Sequence, residues 1–218
     1  MKMRVHELHP VLIHSPLALL PVTALLDLTA ALTGNPKLDK TARTLWWATA
    51  ASGTLAGLSG LAASQEVMTG DSRTDDMMFL HGFGNTVIVL SAFGVAALRS
   101  VQRSSLASNV LGLGALALAT YTAWLGGEMV YARGVGVKEW RRDAELDRVS
   151  PPLFSRQAPV RLLRDAVKGM GWLLGRARQV LSGQERLEPG AFGVKALEQT
   201  PWSSPQKARR STAPTYPM

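Results

Sequence analysis

Residues 77–98 read MMFLHGFGNTVIVLSAFGVAAL, twenty-two positions without an Asp, Glu, Lys or Arg. A helix needs about 20 such residues to cross the hydrocarbon of a bilayer. Three more charge-free runs surround this one: Leu8–Leu26, Thr44–Gln65 and Ser104–Gly127, of 19, 22 and 24 residues. The first continues past Asp27 through Leu28 to Leu32. Backbone amides in hydrocarbon find no water, so such runs must be helices rather than open strands. A buried soluble bundle would show a polar face at helical period, and these runs barely do. The expected fold is therefore all-α, with four transmembrane helices in an up-down bundle over residues 1–137. Lys2 and Arg4 ahead of the first run also fit a cleaved signal peptide. The length of that run, its two histidines and its three prolines (Pro10, Pro16, Pro21) favour a retained helix.

The connections carry matching signals. Gly34-Asn35-Pro36 closes the first helix, an acidic loop runs from Glu66 to Asp76, and Arg99 and Arg103 flank a short basic turn. Trp46, Trp47, Tyr121, Trp124 and Tyr131 stand where an interfacial aromatic belt belongs. Gly53, Gly57, Gly60, Gly82, Gly84, Gly112 and Gly114 serve either close helix packing or room for a flat cofactor.

Charge is unevenly spread. Residues 1–137 hold 9 basic and 8 acidic side chains, whereas residues 138–218 hold 15 and 8. Within that basic tail, Val160, Leu163, Val167, Met170, Leu174, Ala177 and Leu181 recur at helical spacing, with Arg161, Arg164, Lys168, Arg176 and Arg178 mostly elsewhere. The pattern predicts an amphipathic helix over about 158–182, suited to an anionic leaflet or to packing on the protein's own loops or a partner. Nothing beyond charge points to nucleic acid. From Glu188 the chain is rich in Pro, Ser, Thr and Gln and reads as an extended or disordered end. With an even number of spans both termini share a side, and seven juxtamembrane basic residues there against five opposite lean toward the cytoplasm.

The absence of cysteine excludes disulfides, Cys-ligated zinc or iron–sulfur clusters, c-type haem attachment and thiol nucleophiles. No GxSxG, GxxxxGK[ST] or HExxH motif occurs. The chemistry-bearing residues are four histidines, His6, His9, His14 and His81, all at the starts of odd-numbered spans. His6 and His9 precede Pro10, in the headgroup region. His14 and His81 lie at matched depths on the first and third spans, at about 1.5 Å of rise per residue. Two imidazoles at one depth on diagonal helices are what a b-type haem requires, one per iron face. Hydrogen-bonded structural roles, or a metal-ion or proton-handling site of His14, His81 and His9, are the alternatives. A three-His zinc site on one regular helix is disfavoured, because His14 lies about 140° around the axis from His9. Arg133 is placed to meet a haem propionate, and Glu128 to orient an imidazole. Asp27, an intramembrane carboxylate, is a proton-site candidate by default.

The opening His9-Pro10-x-x-x-His14-x-Pro16 and the close Trp124-Leu125-Gly126-Gly127-x-x-Val130-Tyr131-x-x-Gly134-Val135-Gly136-Val137 resemble a bacterial family of small four-helix integral membrane proteins, a domain of unknown function. His81 after an acidic loop fits the same pattern, and the resemblance covers roughly residues 6–137. Ser15 stands where the family pattern has an aromatic. Some relatives carry a Rieske or c-type cytochrome domain on the same chain, which implies membrane electron transfer by association. The expectation is thus a multi-pass protein of the bacterial cytoplasmic membrane, an accessory or electron-transfer subunit rather than a stand-alone enzyme. It would bind haem b and relay electrons to or from a separate redox protein, alone or in an oligomer. The alternatives are a cofactor-free subunit or scaffold, and metal-ion or proton-coupled transport.

Overall fold

The computed structural model describes residues 7–67, 69–136 and 152–193, and among these every regular element is helical. They are α1 (Leu8–Leu12), α2 (His14–Thr33), α3 (Pro36–Ala63), α4 (Ser72–Val101), α5 (Leu106–Gly127) continued by a π-helical turn (Glu128–Ala132), α6 (Ala158–Leu181) and a 3-10 turn (Pro189–Phe192). His6, the 137/138 boundary and residues 194–218 of the Pro/Ser-rich end lie outside the described residues.

Local chemistry sets the boundaries. Gly34 ends α2 at a φ of 66°, in the left-handed region that glycine enters without penalty. Asn35 then caps α3, its Oδ1 accepting from the Lys37 and Leu38 amides at 2.9 and 3.4 Å, with Pro36 at the first helical position. Asp71 caps α4 by accepting from Thr74 N at 2.8 Å. Ser105 and Ser108 form a reciprocal capping box at the start of α5. The prolines of α1 and α2 do not break their path, since only Ile13, itself in helical conformation, separates the two.

Packing closes a ring: α2 lies on α3, α3 on α4, α4 on α5, and α5 back on α2, while α1 and α6 both lie against α3. Within this ring two glycines permit close approaches. A Cβ at Gly112 would meet the Trp46 ring at 2.8 Å, and one at Gly84 would meet Thr122 at 2.6 Å. The inner core is correspondingly small-residue packing around Trp46, with Leu20, Ala24, Ala50, Ala92, Val95 and Ala115.

Among the described residues three helices are long and apolar enough to cross a membrane: Leu8–Thr33, Ser72–Val101 and Leu106–Ala132. Four were expected. α3 is longer than two of these by residue count, yet even its charge-free part from Thr44 is diluted by Trp46, Trp47 and a scatter of Thr, Ser and Gly, which lower its hydropathy.

The tail helix forms over the expected residues and packs on the bundle by a face other than its aliphatic stripe. α6 buries Ala158, Ala166, Gly169, Leu173 and Ala177, a face of mostly small residues, while Val160, Leu163, Val167, Leu174 and Leu181 stay exposed. Gly169 sits so tightly on α3 that a Cβ there would fall 2.3 Å from the Leu61 carbonyl oxygen. Arg176 pins the other end, bonding Asp76, the Asp75 carbonyl at 3.0 Å and Glu185 at 2.8 Å, with its guanidinium over Phe79 and Trp172. Residues 188–193, read from sequence as the start of an extended end, fold onto the bundle. Glu188 N donates to Asp76 Oδ2 at 2.7 Å, Arg73 Nε donates to the Gly190 carbonyl at 2.9 Å, and Ala191 is buried among Met77, Met78, Leu125 and Met129.

Candidate functional site

The structure brings two of the histidines together, His9 of α1 and His81 of α4. Their ring centres are 6.4 Å apart and their planes are nearly perpendicular. Each imidazole rests on a neighbouring helix in the same way. His9 Nδ1 lies 3.0 Å from the Ala56 carbonyl, and a Cβ at Gly60 would stand 2.9 Å from His9 Cε1. His81 Nδ1 lies 2.8 Å from the Thr122 carbonyl, and a Cβ at Gly126 would stand 3.0 Å from His81 Cε1. In both cases the carbonyl precedes the glycine by four residues. A helical carbonyl keeps a second lone pair after its own helix bond, and the glycine one turn on leaves space for a ring to reach it.

This geometry fixes the tautomers. A carbonyl oxygen only accepts, so Nδ1 carries the proton in both rings and Nε2 keeps a lone pair in each. Ser59 Oγ approaches His9 Nδ1 at 3.5 Å as well. Nδ1–H donated to a backbone carbonyl is the usual support of a metal-ligating histidine. Two metal–imidazole bonds of about 2.0 Å, with half a ring beyond each nitrogen, set ring centres roughly 6 Å apart. The observed separation is of this order, with the two ring planes nearly perpendicular.

The remaining sequence candidates fall elsewhere. His14, paired with His81 in the sequence reading, is exposed on α2 with Nδ1 3.3 Å from the Val11 carbonyl. Arg133 donates to Thr74 Oγ1 at 3.0 Å and lies 3.5 Å from Asp71 Oδ2, tying the end of the π turn to the cap of α4. Glu128 is half-buried at the first residue of that turn. Asp27 is 1% exposed and stands thirteen residues beyond His14, about 20 Å along the helix. Its Oδ1 accepts from Arg99 Nε at 2.8 Å and its Oδ2 from Trp46 Nε1 at 3.1 Å. Arg99 is fully buried and also bonds Asp39 Oδ1 at 2.6 Å and the Gln102 carbonyl at 2.7 Å. Asp27 thus belongs to an ion cluster that locks α2, α3 and α4 together at the end away from the histidines.

Asp39 and Asp71 are the carboxylates outside the spans whose acidity is tuned. Burial pushes Asp39 up, but the Ser104 amide and the Arg99 guanidinium outweigh it and hold the carboxyl below the usual range. For Asp71 burial is likewise outweighed, by the Thr74 amide and hydroxyl and by Arg133. Among the described residues no group of three or more His, Asp or Glu could hold a metal ion.

The sequence reading passed over Gly60 and Gly126 as histidine seats, and over the Ala56 and Thr122 carbonyls. The available signal was the inward stripe of α2, Leu20, Thr23, Ala24, Asp27 and Ala30. Carried back at about 100° per residue, it meets His9 and misses His14. Comparison with curated proteins and with solved structures found no match. A family described as "Predicted membrane protein (DUF2231)" matches residues 5–139, from the α1 histidine through the π turn, and the chain belongs to this family of membrane proteins.

Proposed function

We propose that this chain is a b-type haem protein of the bacterial cytoplasmic membrane that relays electrons to or from a separate redox partner. The observation that carries the reading is the His9–His81 pair, two neutral imidazoles 6.4 Å apart with both Nδ1 atoms committed to carbonyls. Two protein nitrogens are too few for a zinc site, which takes four ligands, or three and a water. They suit an iron whose other four nitrogens come from a porphyrin. His9 and His81 would hold that group, and when bound it would supply one-electron exchange. The chain's own part is to set ring orientation through Ala56 and Thr122, and to keep the imidazoles neutral and in a low-dielectric setting. Arg133, just past the π turn that continues α5, remains the cation proposed for a propionate, sharing its charge with Asp71.

In this reading residues 44–63 of α3 make the fourth crossing. α3 is enclosed by α2 and α4 in the ring, with its polar small residues turned inward, Thr49 and Ser59 among them, so a modest hydropathy does not bar it. Both termini and the histidines then share one side.

The test is a reduced-minus-oxidised absorption spectrum of the full chain, expressed with ample haem and purified in detergent, beside His9→Ala, His14→Ala and His81→Ala. A low-spin haem b spectrum lost in His9→Ala and His81→Ala, and kept in His14→Ala, is expected. Loss in His14→Ala with retention in His9→Ala would return the ligand role to His14. A folded wild-type chain without a Soret band would remove the electron-transfer reading.

A further inference from the structure

We propose that the outer surface of α6 is a docking surface for the anionic leaflet of the membrane that the bundle crosses. The helix has three faces. The first, Ala158, Ala166, Gly169, Leu173 and Ala177, is buried on α3 and α4. The second, Val160, Leu163, Val167, Leu174 and Leu181, is a single stripe with every member more than 60% exposed. The third, Arg164, Lys168 and Arg178, is exposed and basic. At about 100° per residue the aliphatic stripe lies roughly 110° from the buried face, Arg164 and Lys168 lie roughly 100° beyond the stripe, and Arg178 stands on the stripe's basic edge. A helix seated sideways on the bundle in this way turns its aliphatic stripe one way and its cations the next. That arrangement matches an interfacial helix, with side chains in the acyl boundary and cations at the headgroups.

The position agrees with the faces. Gly169 meets Leu61 near the end of α3, and Leu173 reaches the Cβ position of Gly82 at 3.4 Å in α4. Arg161 and Arg176 hold the acidic loop through Glu66, Asp75 and Asp76. α6 therefore lies across the ends of α3 and α4, where a crossing helix leaves the hydrocarbon. The helices it packs on also expose aliphatic and aromatic side chains, Leu55 and Leu58 of α3 and Phe83, Val87 and Leu90 of α4. Charge selects the occupant. Residues 138–218 carry an excess of seven positive charges, which anionic headgroups attract and a second copy of the same tail repels.

The chain has no cysteine, so single labels are clean. Val167→Cys, Leu174→Cys and Lys168→Cys, each on an exposed position that leaves the docked face intact, are labelled with a polarity-sensitive fluorophore. The full chain is then reconstituted in phosphatidylcholine vesicles, with or without phosphatidylglycerol. Labels at 167 and 174 are expected to shift to the blue and to be quenched by acyl-brominated lipid, more so with phosphatidylglycerol, while 168 stays polar. Neutralising Arg164, Lys168 and Arg178 to Gln should weaken the phosphatidylglycerol effect by roughly fivefold per charge removed. Water-exposed labels at 167 and 174 in both vesicles would overturn the proposal. So would equal quenching with and without the anionic lipid. Shielding that rises with protein density and resists bromine quenching would assign the surface to a second copy instead.

Discussion

Three glycines of α6 offer the same substitution with opposite consequences. At Gly169 an added Cβ would stand 2.3 Å from the Leu61 carbonyl oxygen and 2.9 Å from its carbon. Both are backbone atoms of α3, which has no rotamer to change, so α6 must retreat by about 1 Å to regain ordinary contact. A gap of 0.5–1 Å forfeits roughly a quarter to a half of each dispersion contact across it, and overpacking of this kind costs about 1–3 kcal/mol. Gly171 and Gly175 meet nothing within 4 Å, so alanine there brings only the helix-propensity gain of about 1 kcal/mol. That gain is common to all three positions and cancels in the comparison, leaving the steric term alone. Hydrogen exchange of the α6 amides in the solubilised full chain reads it directly. Opening of α6 in Gly169→Ala should exceed that in Gly171→Ala by roughly five- to a hundredfold, with Gly175→Ala matching Gly171→Ala. Equal protection in Gly169→Ala and Gly171→Ala would refute the docked face, and with it the claim that the aliphatic stripe points outward.

The ion cluster at the far end predicts a larger effect on the whole fold. Arg99→Met leaves the Asp27 carboxylate buried with Trp46 as its remaining side-chain partner, and breaking a buried pair in this way costs about 3–5 kcal/mol. Thermal unfolding should show a clear drop for Arg99→Met, partly recovered when Asp27→Asn is added. A change under about 1 kcal/mol in the single variant would mean the cluster is solvated. The pH response follows from Asp39 and Asp71, whose folded acidities are held below their unfolded values. As pH falls the unfolded chain takes up these protons first, so their contribution is complete above about pH 5 and is lost through the folded values below about pH 4. Below about pH 5 Tm should fall, and less steeply in Asp71→Asn than in the parent chain. A Tm that rises on acidification would contradict the assigned direction.

The long apolar helices were legible because a bilayer leaves a coarse mark, uninterrupted charge-free length, that needs no knowledge of neighbours. Rotation about each helix axis was harder to read. Depth alone matched His14 with His81, since rise along a helix is fixed by residue count. Which residue turns inward depends on the face the helix presents, and α2 presents Thr23 and Asp27. Asp27 stands eighteen residues after His9, five turns at 3.6 residues per turn, so both fall on one line. The polar residues deep in the span carried that information, and it was read only as a possible proton site. α6 repeats the lesson. Its amphipathic period was visible, but the larger side chains drew attention away from the alanines and Gly169, whose small size is what lets backbone meet backbone. α3 gave the opposite signal, because its inward Thr and Ser lower the hydropathy by which a span is recognised.

The two polar ends of the bundle differ in what they leave unused, and the difference ties the fold to the proposed chemistry. At the Arg99 end the donors and acceptors of Arg99, Asp27 and Trp46 meet one another, and α2, α3 and α4 cannot slide without exposing a charge. At the histidine end each imidazole spends one nitrogen on a carbonyl and keeps the other. That economy has a mechanical side. His9 is anchored to α3 and His81 to α5, so the spacing between the rings is set by the packing of α3, α4 and α5 rather than by side-chain rotamers. Gly60 and Gly126 keep the rings within hydrogen-bond reach of those helices, and Gly84 and Gly112 keep the helices themselves close. A ligand pair held by backbone carbonyls changes its separation only if helices move, and the ion cluster resists that movement from the other end. Stiffness of this kind lowers the structural reorganisation that accompanies a change of charge between two imidazoles, which is the property an electron relay needs from its protein.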